Sequence, residues 1–255
     1  MKKEETTEKK TIGVIGGLGP MASVYLTELI TMMTDARTDQ EHPRILMYSI
    51  PDTPDRTAYL KGEGESPLPE LIRAARVLEQ GGAGFLVIPC VTAQHFYGDI
   101  CESVSIPVVS LSADVAEDVA SRGIRRVALF ATDGTMKSGI LEREFLRHGV
   151  DVLRPEPEEQ AEVMRLIYEE VKTGEIDTAE GAVRAQKRLN ELADRVIARG
   201  AERVILGCTE LSLIRREAIH MRTATPGKYI DILEILAAIS VNLSGATLRA
   251  DSSPL

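Results

Sequence analysis

The sequence predicts an α/β fold built as two similar halves, each a parallel sheet flanked by helices, with a site in the cleft between them. Three observations carry this. Apolar strand-like runs alternate with amphipathic helical stretches along the whole chain, the pattern of parallel α/β architecture. One unit occurs twice, as Gly82-Ala-Gly-Phe-Leu-Val-Ile-Pro-Cys90 and as Gly200-Ala-Glu-Arg-Val-Ile-Leu-Gly-Cys208. Each copy is a Gly-Ala pair, an apolar strand, and a cysteine eight positions after the first glycine. Spacing within the halves also agrees, 73 residues from Gly17 to Cys90 and 76 from Thr132 to Cys208.

The elements follow in order. Thr11–Gly16 reads as a strand entering a glycine-rich turn, and Pro20 suits the first turn of a helix over Met21–Met33. Arg44–Ser49 is a second strand, followed by a loop, Ile50–Thr57, set by two prolines. Leu68–Glu79 is an amphipathic helix feeding the strand Phe85–Ile88, which stops at Pro89 because proline donates nothing to a ladder. Helix is expected from about Thr92, and a fourth strand over Ile106–Ser110. The pattern restarts with the strand Arg125–Thr132 and the small polar turn Asp133–Thr135. Asp151–Leu153 is a short strand, Gln160–Lys172 a helix, and Glu180–Arg199 a long helix before the second cysteine strand. Ala218–Ala224 shows no clear element, and Asp231–Leu243 is a final helix packing back on the first half. The expected division is a disordered leader (1–10), a first half (11–112 plus 226–243), a second half (113–225), and a polar, frayed tail (244–255).

Composition narrows the function. At 255 residues and 44% hydrophobic the chain supports proper cores. A net charge of −9 leaves no basic footprint, which argues against nucleic acid and anionic membranes as partners. No apolar run approaches a membrane span, and the charged start lacks the apolar core of a signal peptide. The three cysteines, Cys90, Cys101 and Cys208, form no CxxC pair. That points to a reducing, cytoplasmic setting and to neither a disulfide framework nor a zinc site. Cys101, in the helix after Cys90, reads as core, and His95 as solvated or packed.

Cys90 and Cys208 carry the chemistry. A cysteine at a strand end is commonly a small buried hydrophobe, but two in register, each with a threonine at a helix start close behind, are not a packing requirement. A helix N-terminus favours an anion and draws a thiol pKa down toward neutrality. Two thiols facing a carbon from opposite sides would remove a proton from one face and return one to the other, inverting the centre. One sulfur is then thiolate while its partner is thiol.

Gly16-Gly-Leu-Gly-Pro20, Pro54-Asp-Arg-Thr57, Pro89-Cys-Val-Thr-Ala93, Gly134-Thr-Met-Lys-Ser-Gly139, Ile167-Tyr-Glu-Glu-Val-Lys-Thr-Gly174 and Gly207-Cys-Thr-Glu-Leu211 occur in this order. Through them the chain, from about Thr11 to Leu243, resembles the aspartate/glutamate racemase superfamily, whose members work without pyridoxal phosphate. The resemblance implies two Rossmann-like halves with the site between them, no cofactor, no metal, an amino-acid substrate, and a homo-oligomer, specifically a dimer. It makes Cys90 and Cys208 the two bases and Arg56 the grip on a side-chain carboxylate, helped by Lys172. Thr92, Thr209 and the backbone around Leu18 would hold the α-carboxylate and amine. Val91 belongs to the same substrate-binding stretch, and Asp55 and Glu210 are auxiliary positions.

Each assignment has a plainer alternative. Arg56 suits a bidentate carboxylate contact, or a surface ion pair with Asp52 or Asp55. Lys172 ends a helix, where a cation is favoured in any case. Glu210 orients a thiol or the amine, or caps a helix. The chain departs from the family where Val91 and Ile50 replace common asparagines, and where Leu141 and Leu236 stand near a usual tyrosine and histidine. These departures keep open a two-cysteine isomerase or lyase acting on a hydantoin, maleate or malonate derivative, and a noncatalytic small-molecule binder. A dinucleotide-dependent oxidoreductase ranks low. Gly17-Leu-Gly19-Pro-Met-Ala22 fits a relaxed phosphate-binding turn, but the first acid after the second strand, Asp52, comes 35 residues beyond Gly17 instead of about 20.

Overall fold

The computed structural model describes residues 9–221 and 227–250. Two parallel sheets form. In the first half β1 (Ile12–Gly16) leads into α1 (Pro20–Met33), followed by β2 (Ile45–Ser49), α2 (Arg56–Lys61), α3 (Leu68–Gln80), β3 (Phe85–Val87), α4 (Tyr97–Ser103) and α5 (Leu111–Ser121). The second half holds β4 (Arg126–Phe130), α6 (Asp133–Ser138), α7 (Ile140–Arg147), β5 (Asp151–Leu153), α8 (Pro157–Arg165), α9 (Ala179–Ala198), β6 (Arg203–Leu206), α10 (Thr209–His220) and β7 (Tyr229–Asp231). The helix α11 (Ile232–Leu243) follows. The sheet orders are β2-β1-β3 and β5-β4-β6-β7, every pairing parallel. The α/β class and the two similar halves are therefore present.

The central strand β1 is buried on both faces. All five of its residues are inaccessible. Ile12 and Val14 enter one apolar cluster and Ile15 the other, as the two-residue strand period requires. The turn after it needs glycine: Gly17 has φ +90°, and a Cβ there would lie 2.4 Å from the Ile50 backbone nitrogen. The larger cluster does not stop at the boundary between halves. It contains Leu26 and Ile30 of α1, Val115 of α5, Leu129 of β4, Ile205 of β6 and Leu233 of α11, and α1 packs directly on α11.

Four expectations are corrected. Residues 229–231 form β7, in register with β6 from Val204–Tyr229 to Leu206–Asp231, so this stretch extends the second sheet instead of joining the first half. Its three residues are too short for an alternation signal; α11, which starts where Asp231 accepts from the Leu233 N–H at 2.9 Å, does lie against α1. The segment around 106–110 makes one bridge, Leu86–Val108, flanked by Leu86 N–H to Pro107 O and Val109 N–H to Leu86 O. Pro107 cannot extend that ladder. Arg56 and Thr57 open a short helix instead of lying in loop, because Asp55 caps it by accepting from the Ala58 N–H at 2.8 Å. The chain from 244 to 250 is not frayed: Ser244 is fully buried, Thr34 and Leu248 form an antiparallel bridge, and the Arg249 N–H donates to Met33 O. The expected leader, 1–10, lies outside the described residues except for Lys9 and Lys10; the Lys10 N–H donates to Ser244 O.

Candidate active site

Each thiol sits just past the carboxyl end of a parallel strand, Cys90 beyond β3 and Cys208 beyond β6, where open α/β sheets bind ligands. Both are buried, at 6% and 7% exposure, and both are free thiols. They line one cavity between the halves. That cavity also takes Leu18, Asp55, Arg56, Val91, Thr92, Lys172, Thr209 and Glu210, so every site residue named from the sequence lies on its wall. Cys101 lies elsewhere, part-buried against the smaller core.

The two thiols differ in company. Cys208 is the N-cap residue of α10, and its Sγ–H donates to Glu210 Oε2 at 2.9 Å. The expectation that a helix start would draw this thiol down fails. Burial first, then the Glu210 charge and its hydrogen bond, push Cys208 well above an ordinary thiol. Cys90 is followed by a single 3₁₀ turn, Thr92–Phe96, and not by an α-helix, so it has little helix dipole behind it. Its charged neighbour is the Arg56 guanidinium. Burial works against that cation, and Cys90, Asp55 and Glu210 together outweigh it and hold Arg56 above its usual value.

Arg56 is fixed by backbone. Nη2 donates to Leu18 O at 2.9 Å, and Nη1 reaches Pro54 O and Thr53 O at 3.3 and 3.4 Å. It makes no ion pair with Asp52 or Asp55. The Nε atom is buried with no hydrogen-bond partner among the described residues, so the guanidinium keeps donor capacity for a ligand.

Lys172 arrives from the second half through a π-helical segment, Leu166–Val171, and its N–H donates to Ile167 O five residues back. Such wide turns cluster at functional sites. Its Nζ lies 4.0 Å from Asp55 Oδ2 and 4.0 Å from Glu210 Oε1, and 4.1 Å from the centre of the Tyr168 ring. Burial alone would pull this ammonium down, but Glu210, Tyr168, Cys208 and Asp55 carry it up, so it stays charged. The cavity thus holds two cations and two carboxylates, the part-buried Arg56 and the more exposed Lys172 against Asp55 and Glu210.

Hydroxyls close the remaining wall. Thr92 Oγ1 lies 3.0 Å from Thr135 Oγ1 and 3.3 Å from Thr132 Oγ1, and Thr57 Oγ1 donates to Thr132 Oγ1 at 3.4 Å. Thr57 and Thr92 come from the first half, Thr132 and Thr135 from the second. Thr57, Thr132 and Tyr168 were not singled out as site residues from sequence. Thr57 and Thr132 did stand in the Pro54–Thr57 motif and at the restarted strand end, which was the available signal. Across the mouth, Lys61 of α2 pairs with Asp133 of α6 at 3.0 Å. Gly134 abuts Thr57 so closely that a Cβ there would lie 2.9 Å from the Thr57 Cα.

The phosphate-turn reading does not fit this geometry. Glu210 Oε1 lies 3.0 Å from where a Gly19 Cβ would stand, so a carboxylate guards the turn a pyrophosphate would have to approach. Among the described residues no group of three or more His, Cys, Asp or Glu is placed to hold a metal ion, and no helix is long and apolar enough to cross a membrane.

The chain is similar to known racemases in sequence and in fold. The family model for Asp/Glu/Hydantoin racemase matches residues 15–238. An aspartate racemase from Picrophilus torridus superposes with a TM-score of 0.82 at 26% identity, covering 95% of this chain and 97% of that one. An aspartate racemase homologue from Pyrococcus horikoshii OT3 gives 0.68 at 28% identity, covering 92% and 99%. The broad specificity amino-acid racemase RacX of Bacillus subtilis is 26% identical over 157 residues, 59% of this chain and 66% of that protein.

Proposed function

Since the chain belongs to the Asp/Glu/Hydantoin racemase family and is an amino-acid racemase, we propose that it inverts the α-carbon of aspartate or glutamate without a cofactor, by proton transfer between two thiols. The observation that carries this is the shared cavity of Cys90 and Cys208, reached from the two sheets.

The unequal surroundings of the thiols support a direction for the resting enzyme. Arg56 lies beside Cys90, while burial and Glu210 keep the proton on Cys208. In one direction Cys90 takes the α-proton from one face, and the Cys208 S–H delivers its proton to the opposite face. The enzyme then holds a Cys90 thiol and a Cys208 thiolate, the form that runs the reverse direction. Charge building on the α-carboxylate during proton removal is offset by the fixed cations Arg56 and Lys172 and by the threonine hydroxyls. The same cations favour a substrate with a second carboxylate, and Asp55 and Glu210 suit its ammonium group. By family resemblance the working form is a cytoplasmic homodimer.

The test is a screen of L- and D-amino acids in deuterated water, following α-deuterium uptake and the enantiomer formed. Aspartate or glutamate should exchange and racemise, with neither pyridoxal phosphate nor EDTA altering the rate. Exchange confined to maleate, malonate or hydantoin derivatives would reassign the substrate, and no exchange with any of them would end the two-thiol reading.

A further inference from the structure

We infer that a second cavity next to the thiols receives the substrate's side chain and admits side chains longer than that of glutamate, apolar along their stem. This rests on the two-thiol reading and names the substrate class more widely.

The thiol cavity itself has about 20 Å³ of free space, room for roughly one water. Against it lies a cavity of about 600 Å³, inside the range of about 300–1,000 Å³ usual for small-molecule sites. The two share one wall, made by Asp55, Arg56, Lys172 and Glu210. A side chain directed at that wall from an α-carbon between Cys90 and Cys208 would continue into the larger space. The carboxylate of aspartate would end there, at Arg56 and Lys172, and leave the larger space unused. Beyond the wall the lining carries the apolar Pro20, Met21, Val171, Ile176 and Leu213, with the charged Asp177, Arg216 and Glu217 also part of it. Lys172 is held to its two carboxylates at only 4.0 Å each, so it can move aside along its flexible stem. Apolar flanks beyond a charged ring match an unbranched aliphatic or thioether stem better than a second compact acid.

The test compares methionine and norleucine with aspartate and glutamate in wild type, Met21→Trp and Thr173→Trp. Both positions line the large cavity, and both are exposed, Met21 at 50%, so a tryptophan there need not disturb a core. Thermal melts confirm folding. In wild type, methionine and norleucine should exchange and racemise, with kcat/KM below that of aspartate by no more than the roughly 30- to 150-fold that the Arg56 contact is worth. Since a lost methylene contact is worth about 10- to 200-fold, either tryptophan should lower the long substrates by at least about tenfold and aspartate by less than about twofold. Absence of exchange with the long substrates in wild type, alongside active aspartate, would overturn the inference and leave the racemase reading standing. Equal losses for all substrates would overturn it too, since the cavity would then be only a passage. If no amino acid exchanges at all, the two-thiol reading itself has failed.

Discussion

The ends of β3 and β6 carry the same residue in different backbone settings and different charge environments. Cys90 faces a guanidinium pinned by the Leu18, Thr53 and Pro54 carbonyls; the Cys208 thiol donates a hydrogen bond to a carboxylate two residues on. Helix geometry would have favoured the reverse, because Cys208 begins a twelve-residue helix and Cys90 only a 3₁₀ turn. Local charge and burial override the dipole at Cys208. A duplicated fold thus supplies two matching strand ends, and a few side chains give the two thiols different surroundings.

Removing the cation from the Cys90 end should have the largest effect among its supports. A charge-assisted contact of about 2–3 kcal/mol makes Arg56→Ala cost roughly 30- to 150-fold in kcat/KM for aspartate. Arg56→Lys should recover only part, since a point charge does not reproduce a guanidinium held at three carbonyls. Equal loss for aspartate and alanine would make Arg56 structural.

At the other end, Glu210→Gln removes the anion that raises Cys208. The thiol pKa then falls, so the proton donor is lost at lower pH and the alkaline limb of the kcat profile moves down. We expect a rate loss of about tenfold near neutrality, the low end for a group that tunes an acid and does not itself transfer the proton. An unmoved alkaline limb would detach Glu210 from Cys208.

Two smaller perturbations address how the ends are brought together. Gly134→Ala places a methyl 2.9 Å from the Thr57 Cα, and should raise KM several-fold by holding the halves apart. Lys61→Met removes a pair that is about one-third exposed on each side, worth only ~0–1 kcal/mol, and should change kcat/KM by less than about fivefold. If the order of these two is reversed, the mouth is closed by charge and not by contact.

The halves also differ at β7, an additional strand whose last residue leads into a buried acidic pair, Asp231 and Glu234, beside Arg215. Burial, then the Asp231 charge, push Glu234 up from 4.5 to about 7. The folded state therefore keeps a proton that the unfolded chain releases. Its stability contribution is present below the unfolded value and is lost as pH rises through the window from 4.5 to about 7. Wild type should lose melting temperature relative to Glu234→Gln across that window. A constant difference would mean that Glu234 does not hold the proton.

The comparison also explains what was legible in the chain. The duplicated Gly-Ala-strand-Cys unit exposed both thiols and the two parallel sheets, because strand and turn signals are local. The motif around Arg56 was visible, but its helix was not, since two prolines mask a start that the Asp55 cap decides. Lys172 reaches the cavity through a π-helical turn that no periodicity marks. The hydroxyl cluster of Thr57, Thr92, Thr132 and Thr135 exists only once the halves meet, so no spacing within either half foretells it. The strand β7 is three residues long and gains its identity from β6.

The central claim is that inversion needs one thiol on each side of the α-carbon. It is tested most directly by following α-deuterium uptake from each enantiomer of aspartate separately in Cys90→Ser and Cys208→Ser, with folding checked by melting. Each variant should lose racemisation, and any residual exchange should be confined to one enantiomer, opposite for the two variants. Full racemisation by either variant, or equal residual exchange from both enantiomers, would contradict it.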